Sequence, residues 1–166
     1  ILSNLGLSSI ITIKLVFFYL LIISAAFSFL TGYYFFKKNT YAGIIFSAAY
    51  TYNTYAITTH TGHLLVAIAN ALFPLVLLLY YFALDKKSYV YLIMSSLVFF
   101  VLGSYEFRIA YICLGILLLY SLIHMIYEKK YLKNLAMFGT LILIFLSLNS
   151  FWLFNMAFNS GLSDAT

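Results

Sequence analysis

The sequence predicts an all-α protein: a polytopic bundle of about six transmembrane helices with both ends of the chain on the outer side. Of the 166 residues, 65% are hydrophobic and only 8% are charged, whereas about a quarter of a water-soluble domain is charged. Long apolar runs alternate with short charged connections. The runs are continuous, unlike the period-two pattern of barrel strands, and therefore indicate helices.

A membrane helix needs about 20 mostly apolar residues to cross roughly 30 Å of hydrocarbon. Six runs approach or exceed this length, and the second is the weakest because it is rich in Tyr, Thr and Ala. Residues 1–158 are thus predicted to form one transmembrane domain, and 159–166 to begin an outer loop or domain. The predicted spans are 10–36, 40–58, 64–84, 89–104, 109–126 and 135–158.

The positions of the basic residues predict the orientation. Lys14 and Arg108 lie on one side, and the other seven of the nine fall in the first, third and fifth connections. Cytoplasmic connections carry the excess of Lys and Arg, so these three are predicted to be cytoplasmic in a multi-pass protein of the cell membrane. The seven are Lys37, Lys38, Lys86, Lys87, Lys129, Lys130 and Lys133.

The surroundings of the chain follow from the same pattern. The net charge of +5 comes from basic residues in twos and threes between apolar runs, so we expect a lipid bilayer and no nucleic acid as partner. The chain begins at Ile1 and its first apolar run has no small-residue cleavage site, which argues against a signal peptide. We expect the remainder of a longer chain on both sides.

Glu106 and Arg108 stand out among the predicted outer connections. The spans on either side hold about 16 and 18 residues, or roughly 24 to 27 Å of helix, which is short for a bilayer. The charged turn is therefore predicted to be drawn into the outer interface, where it needs a partner or a polar cavity. Two interpretations remain: a salt bridge that caps two helices, or an acid and a base that face a substrate.

Other polar residues are predicted on the same side. His60 and His63 lie three residues apart, but Gly62 indicates a loop and no third ligand completes a metal site. They are interpreted as hydrogen-bonding groups for a headgroup or sugar, or as part of a hydrated loop. Lys14 either extends its ammonium group outward or contacts a lipid phosphate. In the third span, Pro74 should kink the helix by removing the hydrogen bond to the Asn70 carbonyl.

Four short segments carry a resemblance to a known family. They are 48–53 (AAYTYN), Gly62-His63, 69–78 (ANALFPLVLL) and 148–153 (LNSFWL). Across residues 10–154 the chain resembles the C-superfamily of membrane glycosyltransferases (GT-C) and the uncharacterised polytopic membrane proteins related to it.

The resemblance implies transfer of a sugar from a polyprenyl-phosphate carrier to an acceptor on the outer face, with carboxylates in outer loops. No Asp or Glu precedes Asp85, so the principal catalytic carboxylate would lie upstream of Ile1 or be absent. Glu106 is then the candidate catalytic residue. The cofactor is not identified by the sequence: a divalent metal could stabilise the departing phosphate in place of a basic side chain, but with one outer carboxylate this segment cannot hold a metal alone. The candidate substrate-binding residues are Arg108, Lys14, His60, His63, Asn53 and Tyr105.

Two other functions fit the same composition. One is a noncatalytic scaffold that anchors an outer domain. The other is a transporter or flippase for a lipid-linked substrate, which predicts ionisable residues near the bilayer midplane. In this sequence the ionisable residues lie near the ends of the spans.

Overall fold

The computed structural model describes residues 9–52, 63–128 and 131–159. For residues 9, 10, 128, 131 and 152–159 it describes the backbone only. Within these ranges every regular element is an α-helix, which confirms the predicted all-α bundle. The six helices are α1 (Ser9–Phe35), α2 (Thr40–Thr51), α3 (Leu64–Asp85), α4 (Tyr89–Tyr105), α5 (Phe107–Glu128) and α6 (Tyr131–Asn159).

Four helices, α1, α3, α5 and α6, are long and apolar enough to cross a membrane. With 17 residues, α4 measures about 26 Å and falls slightly short of the hydrocarbon thickness. That the two chain ends face outward stays a prediction.

The second predicted span differs most from its helix. The sequence predicts a span that continues to residue 58, but α2 ends at Thr51 after 12 residues, or about 18 Å. Tyr52 caps it by donating its N–H to the Ala48 carbonyl at 3.0 Å, and residues 53–58 lie outside the described ranges. The predicted end of this span at residue 58 therefore stays a prediction.

Helix α3 occupies the centre of the bundle. In the most apolar segment of this helix, 67% is buried inside the protein. The corresponding shares are 17% for α1 and 28% for α5. It packs most extensively against α1 and α4, and α4 in turn packs more closely against α6 than against α5. Many large apolar side chains of the outer helices are exposed, as expected for surfaces that face lipid rather than water.

Helices α1 and α2 approach each other closely through two glycines. A Cβ atom at Gly32 would lie 2.6 Å from the Cβ of Phe46, and one at Gly43 would lie 2.9 Å from the Phe29 ring. Small residues allow such close approach between membrane helices. The short helix α2 is thereby held along the side of α1.

Hydroxyl groups tie α3 to its neighbours through backbone carbonyls. Thr31 Oγ1 donates to the Pro74 carbonyl at 2.8 Å, and the Tyr50 hydroxyl donates to the Asn70 carbonyl at 2.7 Å. Ser95 Oγ donates to the Val76 carbonyl at 3.1 Å. In an apolar environment such bonds satisfy the donor hydroxyls and hold neighbouring helices together.

The connections sort into two ends of the bundle. Lys37 and Lys38, which follow α1, line the same cavity as Asp85 and Lys86 at the end of α3. The opposite end holds Glu106, which shares a cavity with Phe151 of α6. Below, these are called the lysine end and the Glu106 end.

Candidate functional site

Glu106 alone separates α4 from α5. Its backbone is extended, with φ −152° and ψ 100°. Its N–H donates to the Leu102 carbonyl at 3.0 Å, and its own carbonyl accepts from the Ala110 N–H at 3.2 Å. Glu106 is therefore both the C-cap of α4 and the N-cap of α5.

The Glu106 carboxylate and the Arg108 guanidinium form a two-point ion pair. Arg108 Nε lies 2.7 Å from Oε1 of Glu106, and Nη2 lies 3.2 Å from Oε2. The carboxylate also accepts a hydrogen bond from the Arg108 backbone N–H, as an N-cap side chain does. The Glu106 side chain is only 15% exposed and that of Arg108 84%, so the pair shields the anion and presents the cation outward.

This environment holds the pKa of Glu106 below its ordinary value. The side-chain hydrogen bond from Arg108 is the largest cause, and it outweighs the partial burial, which acts in the opposite direction. Positive charge on His63 adds a smaller lowering. Glu106 is therefore ionised at neutral pH, and it is a weak base while Arg108 stays bound to it.

A cavity of about 440 Å³ opens beside the ion pair. Tyr105, which is 40% exposed, lies on one side of Glu106 in the chain and Phe107 on the other. Phe151 brings α6 into the same wall. The lining residues are Gly103, Ser104, Tyr105, Glu106, Phe107 and Phe151.

The structure brings several of the predicted site residues together. Tyr105 shares the cavity with Glu106, Arg108 is its ion-pair partner, and His63 is close enough to influence its charge. His63 occupies the N-cap position of α3, is exposed, and forms no side-chain capping bond there.

The other predicted residues are not joined to this group. Lys14 is exposed on α1, where Thr12 and Ile13 line a cavity with Leu64, the residue after His63. Among the described residues, Lys14 and Glu106 form no ion pair. Asn53 and His60 lie outside the described ranges. Within those ranges, no three His, Cys, Asp or Glu side chains are grouped as metal ligands would be.

The sequence did not predict Phe151 as part of the site. Its position near the end of α6 hinted at the correct end of the bundle, but only the packing of α6 against α4 brings its ring to Glu106. The sequence did not predict the lysine-end cavity either, because its lysines were interpreted only as indicators of membrane orientation.

Comparison of the chain with protein-family models, with curated proteins and with solved structures gives no match. The resemblance to membrane glycosyltransferases therefore stays a prediction. What can be proposed about function depends on the geometry of the Glu106 end.

Proposed function

We propose that this chain is the membrane-embedded part of a cell-membrane glycosyltransferase that uses a polyprenyl-phosphate sugar as donor at the Glu106 end. The supporting observation is the arrangement of Glu106 and Arg108, in which a shielded carboxylate that lines the cavity is paired with an exposed guanidinium. Sugar transfer requires a carboxylate to accept the proton of the acceptor hydroxyl and a cation to stabilise the departing phosphate.

Arg108 is suited to receive the donor phosphate. Its guanidinium is exposed, and its planar donors match the oxygens of a phosphate as well as those of a carboxylate. A bound phosphate competes with Glu106 for this cation. As Arg108 turns toward the phosphate, the pKa of Glu106 rises toward its ordinary value and the carboxylate becomes a better base.

In the proposed transfer step, Glu106 and Arg108 have separate roles. Glu106 takes the proton of the acceptor hydroxyl, whose oxygen forms a bond to the anomeric carbon of the sugar. The bond between that carbon and the phosphate oxygen breaks, and its electron pair leaves with the polyprenyl phosphate. Arg108 stabilises the charge that develops on the phosphate.

The remaining predicted residues receive binding roles in this proposal. Tyr105, which lines the cavity, is proposed to contact the sugar, and His63, Asn53 and His60 are proposed to do the same. Lys14, exposed at the start of α1, is proposed to contact the phosphate of the donor as it approaches from the bilayer.

One observation favours a second function. The hydrogen bond from the Arg108 backbone N–H makes Glu106 an ordinary N-cap of α5, which is all that a noncatalytic scaffold would require. In that case the ion pair stabilises the junction of α4 and α5 and takes no part in chemistry.

Substitution of Glu106 separates the two functions. The full-length protein in proteoliposomes should transfer sugar from a radiolabelled polyprenyl-phosphate hexose, and Glu106→Gln should lower turnover about 10²- to 10⁴-fold. Gln keeps a capping oxygen but loses the ion pair, so the variant should fold with a modestly lower melting temperature at neutral pH. Ser104→Ala is the control, because Ser104 lines the same cavity while its hydroxyl bonds to the Phe100 carbonyl.

The outcomes are distinct. Unchanged transfer by Glu106→Gln would exclude Glu106 as the base. A lower melting temperature in both Glu106→Gln and Arg108→Gln, without loss of transfer, would establish the scaffold role of the pair.

A further inference from the structure

A second cavity, of about 500 Å³, lies at the lysine end. It is formed where α1 and α3 finish side by side, and it contains three lysines against a single carboxylate. The lining residues are Tyr34, Lys37 and Lys38 from the first connection, and Tyr81, Phe82, Asp85 and Lys86 from the second. The site is independent of the Glu106 end.

Lys86 is held in place by aromatic residues. Its Nζ atom lies 4.8 Å from the ring centroids of both Phe82 and Tyr91, and it donates to the Tyr91 hydroxyl at 3.2 Å. The Tyr34 ring meets the Phe82 ring edge-on with centroids 4.8 Å apart. The ammonium group of Lys86 therefore packs against two aromatic rings, a position that cation–π attraction favours.

Lys37 and Lys38 are held by the backbone. Their φ angles are 56° and 65°, in the left-handed region that glycine adopts most easily. Two bonds of a Schellman motif fix this turn: Lys38 N–H to the Tyr33 carbonyl at 2.7 Å, and Lys37 N–H to the Tyr34 carbonyl at 3.2 Å. Backbone geometry alone would favour glycine at both positions.

An apolar groove of about 580 Å³ adjoins this cavity. Phe35 lines the groove, Tyr81 lines the cavity, and their ring centroids are 4.9 Å apart. The groove contains Phe36, Phe46, Leu77 and Ile116 among other apolar residues. A charged cavity next to an apolar groove matches a molecule with an anionic head and a hydrocarbon tail.

We propose that the lysine-end cavity binds the phosphate group of an anionic phospholipid, whose acyl chain occupies the adjoining groove. Lys37, Lys38 and Lys86 surround the phosphate, and the hydroxyls of Tyr34 and Tyr81 add hydrogen-bonding groups to the wall. Asp85 opposes the anion and limits its affinity. Basic pockets between membrane helices are a recurrent form of headgroup site.

The test uses thermal unfolding of the full-length protein in neutral detergent with added phosphatidylglycerol or phosphatidylcholine. Phosphatidylglycerol should raise the melting temperature of the wild type. Lys37→Gly and Lys38→Gly should each weaken the apparent affinity about fivefold. Glycine suits the positive φ angles, so these variants should fold.

Lys87→Gly is the matched control. Lys87 also has a positive φ, 53°, and ends α3 in the same kind of turn, but it does not line the cavity. Its removal should leave the phosphatidylglycerol effect nearly unchanged. Asp85→Asn should increase the affinity, because it removes the only carboxylate among the lining residues.

Three results would overturn the proposal. Equal weakening by Lys87→Gly would indicate general surface charge instead of a site. Equal stabilisation by phosphatidylcholine would remove the role of the anionic headgroup. Full stabilisation by inorganic phosphate, with no further effect of phosphatidylglycerol, would identify a soluble phosphate compound as the ligand.

Discussion

The Tyr50 hydroxyl donates a hydrogen bond of 2.7 Å to the Asn70 backbone carbonyl. This carbonyl is the one that loses its intrahelical partner because Pro74, four residues later, has no N–H. A side chain of α2 thus replaces the hydrogen bond that proline removes from the central helix. The pairing explains how a proline is accommodated in the most buried helix of the bundle.

Tyr50→Phe should lower the free energy of unfolding by about 0.6 kcal/mol and by up to about 1.7 kcal/mol, the range measured for polar bonds between membrane helices. In a Pro74→Ala background, the alanine N–H restores the intrahelical bond, and the cost of Tyr50→Phe should decrease. Both can be measured by titrating detergent-solubilised protein with sodium dodecyl sulfate.

Tyr41→Phe provides a control on the same helix, since Tyr41 is 80% exposed. An equal cost of Tyr50→Phe in the two backgrounds would mean that the bond does not compensate for Pro74.

Gly32→Ala should destabilise the protein by about 1 to 3 kcal/mol, the usual cost of overpacking. The new methyl group would meet the Phe46 Cβ at 2.6 Å, and that atom is too close to the backbone to move easily. Gly115→Ala is the opposite case, because nothing lies within 4 Å of its added Cβ. It should be neutral or stabilising by up to about 1 kcal/mol, since alanine favours a helix. Similar losses in both variants would rule out close packing of α1 and α2 at Gly32.

Glu106 should make stability depend on pH in the acidic range. Its pKa is lowered from 4.5 in the folded protein, chiefly by the hydrogen bond from Arg108, so its stabilising contribution is complete above that ordinary value. The contribution is lost as the pH falls through the lowered folded pKa. Melting temperatures of wild type and Glu106→Gln across this range should converge at low pH. Parallel curves would show that the ion pair does not affect folding.

Lys87→Gly should stabilise the protein by about 1 kcal/mol, because glycine adopts the left-handed backbone conformation without a Cβ penalty. Lys14→Gly removes the same charge from an exposed position in the second turn of α1 and should destabilise by about 1 kcal/mol. Chemical or thermal unfolding of the two variants gives the comparison. The same sign of change in both would mean that charge, and not backbone conformation, dominates.

Much of the fold could be predicted because apolar length is a direct requirement of the bilayer. Five of the six helices begin and end within about four residues of the predicted spans. For the second span, α2 covers Thr40–Thr51, and residues 53–58 lie outside the part of the chain that the structure describes. Hydropathy reports where a residue can be placed, whereas the end of α2 depends on local capping at Tyr52.

The site was predictable only where its residues are neighbours in the chain. Tyr105, Glu106 and Arg108 occupy one turn, so their association required no knowledge of packing. Phe151 shares a cavity with Glu106 only through the packing of α6 against α4, which no local pattern encodes. The lysine-end cavity was missed for the same reason, since its two halves are separated by more than forty residues of sequence.

The single-residue junction at Glu106 has a mechanical consequence. Since no other residue separates α4 from α5, rotation of one helix against the other is concentrated in the dihedral angles of Glu106. Its carboxylate clamps this pivot by holding the side chain and the backbone of Arg108 at once. A ligand that draws Arg108 away would release the clamp at the junction of α4 and α5.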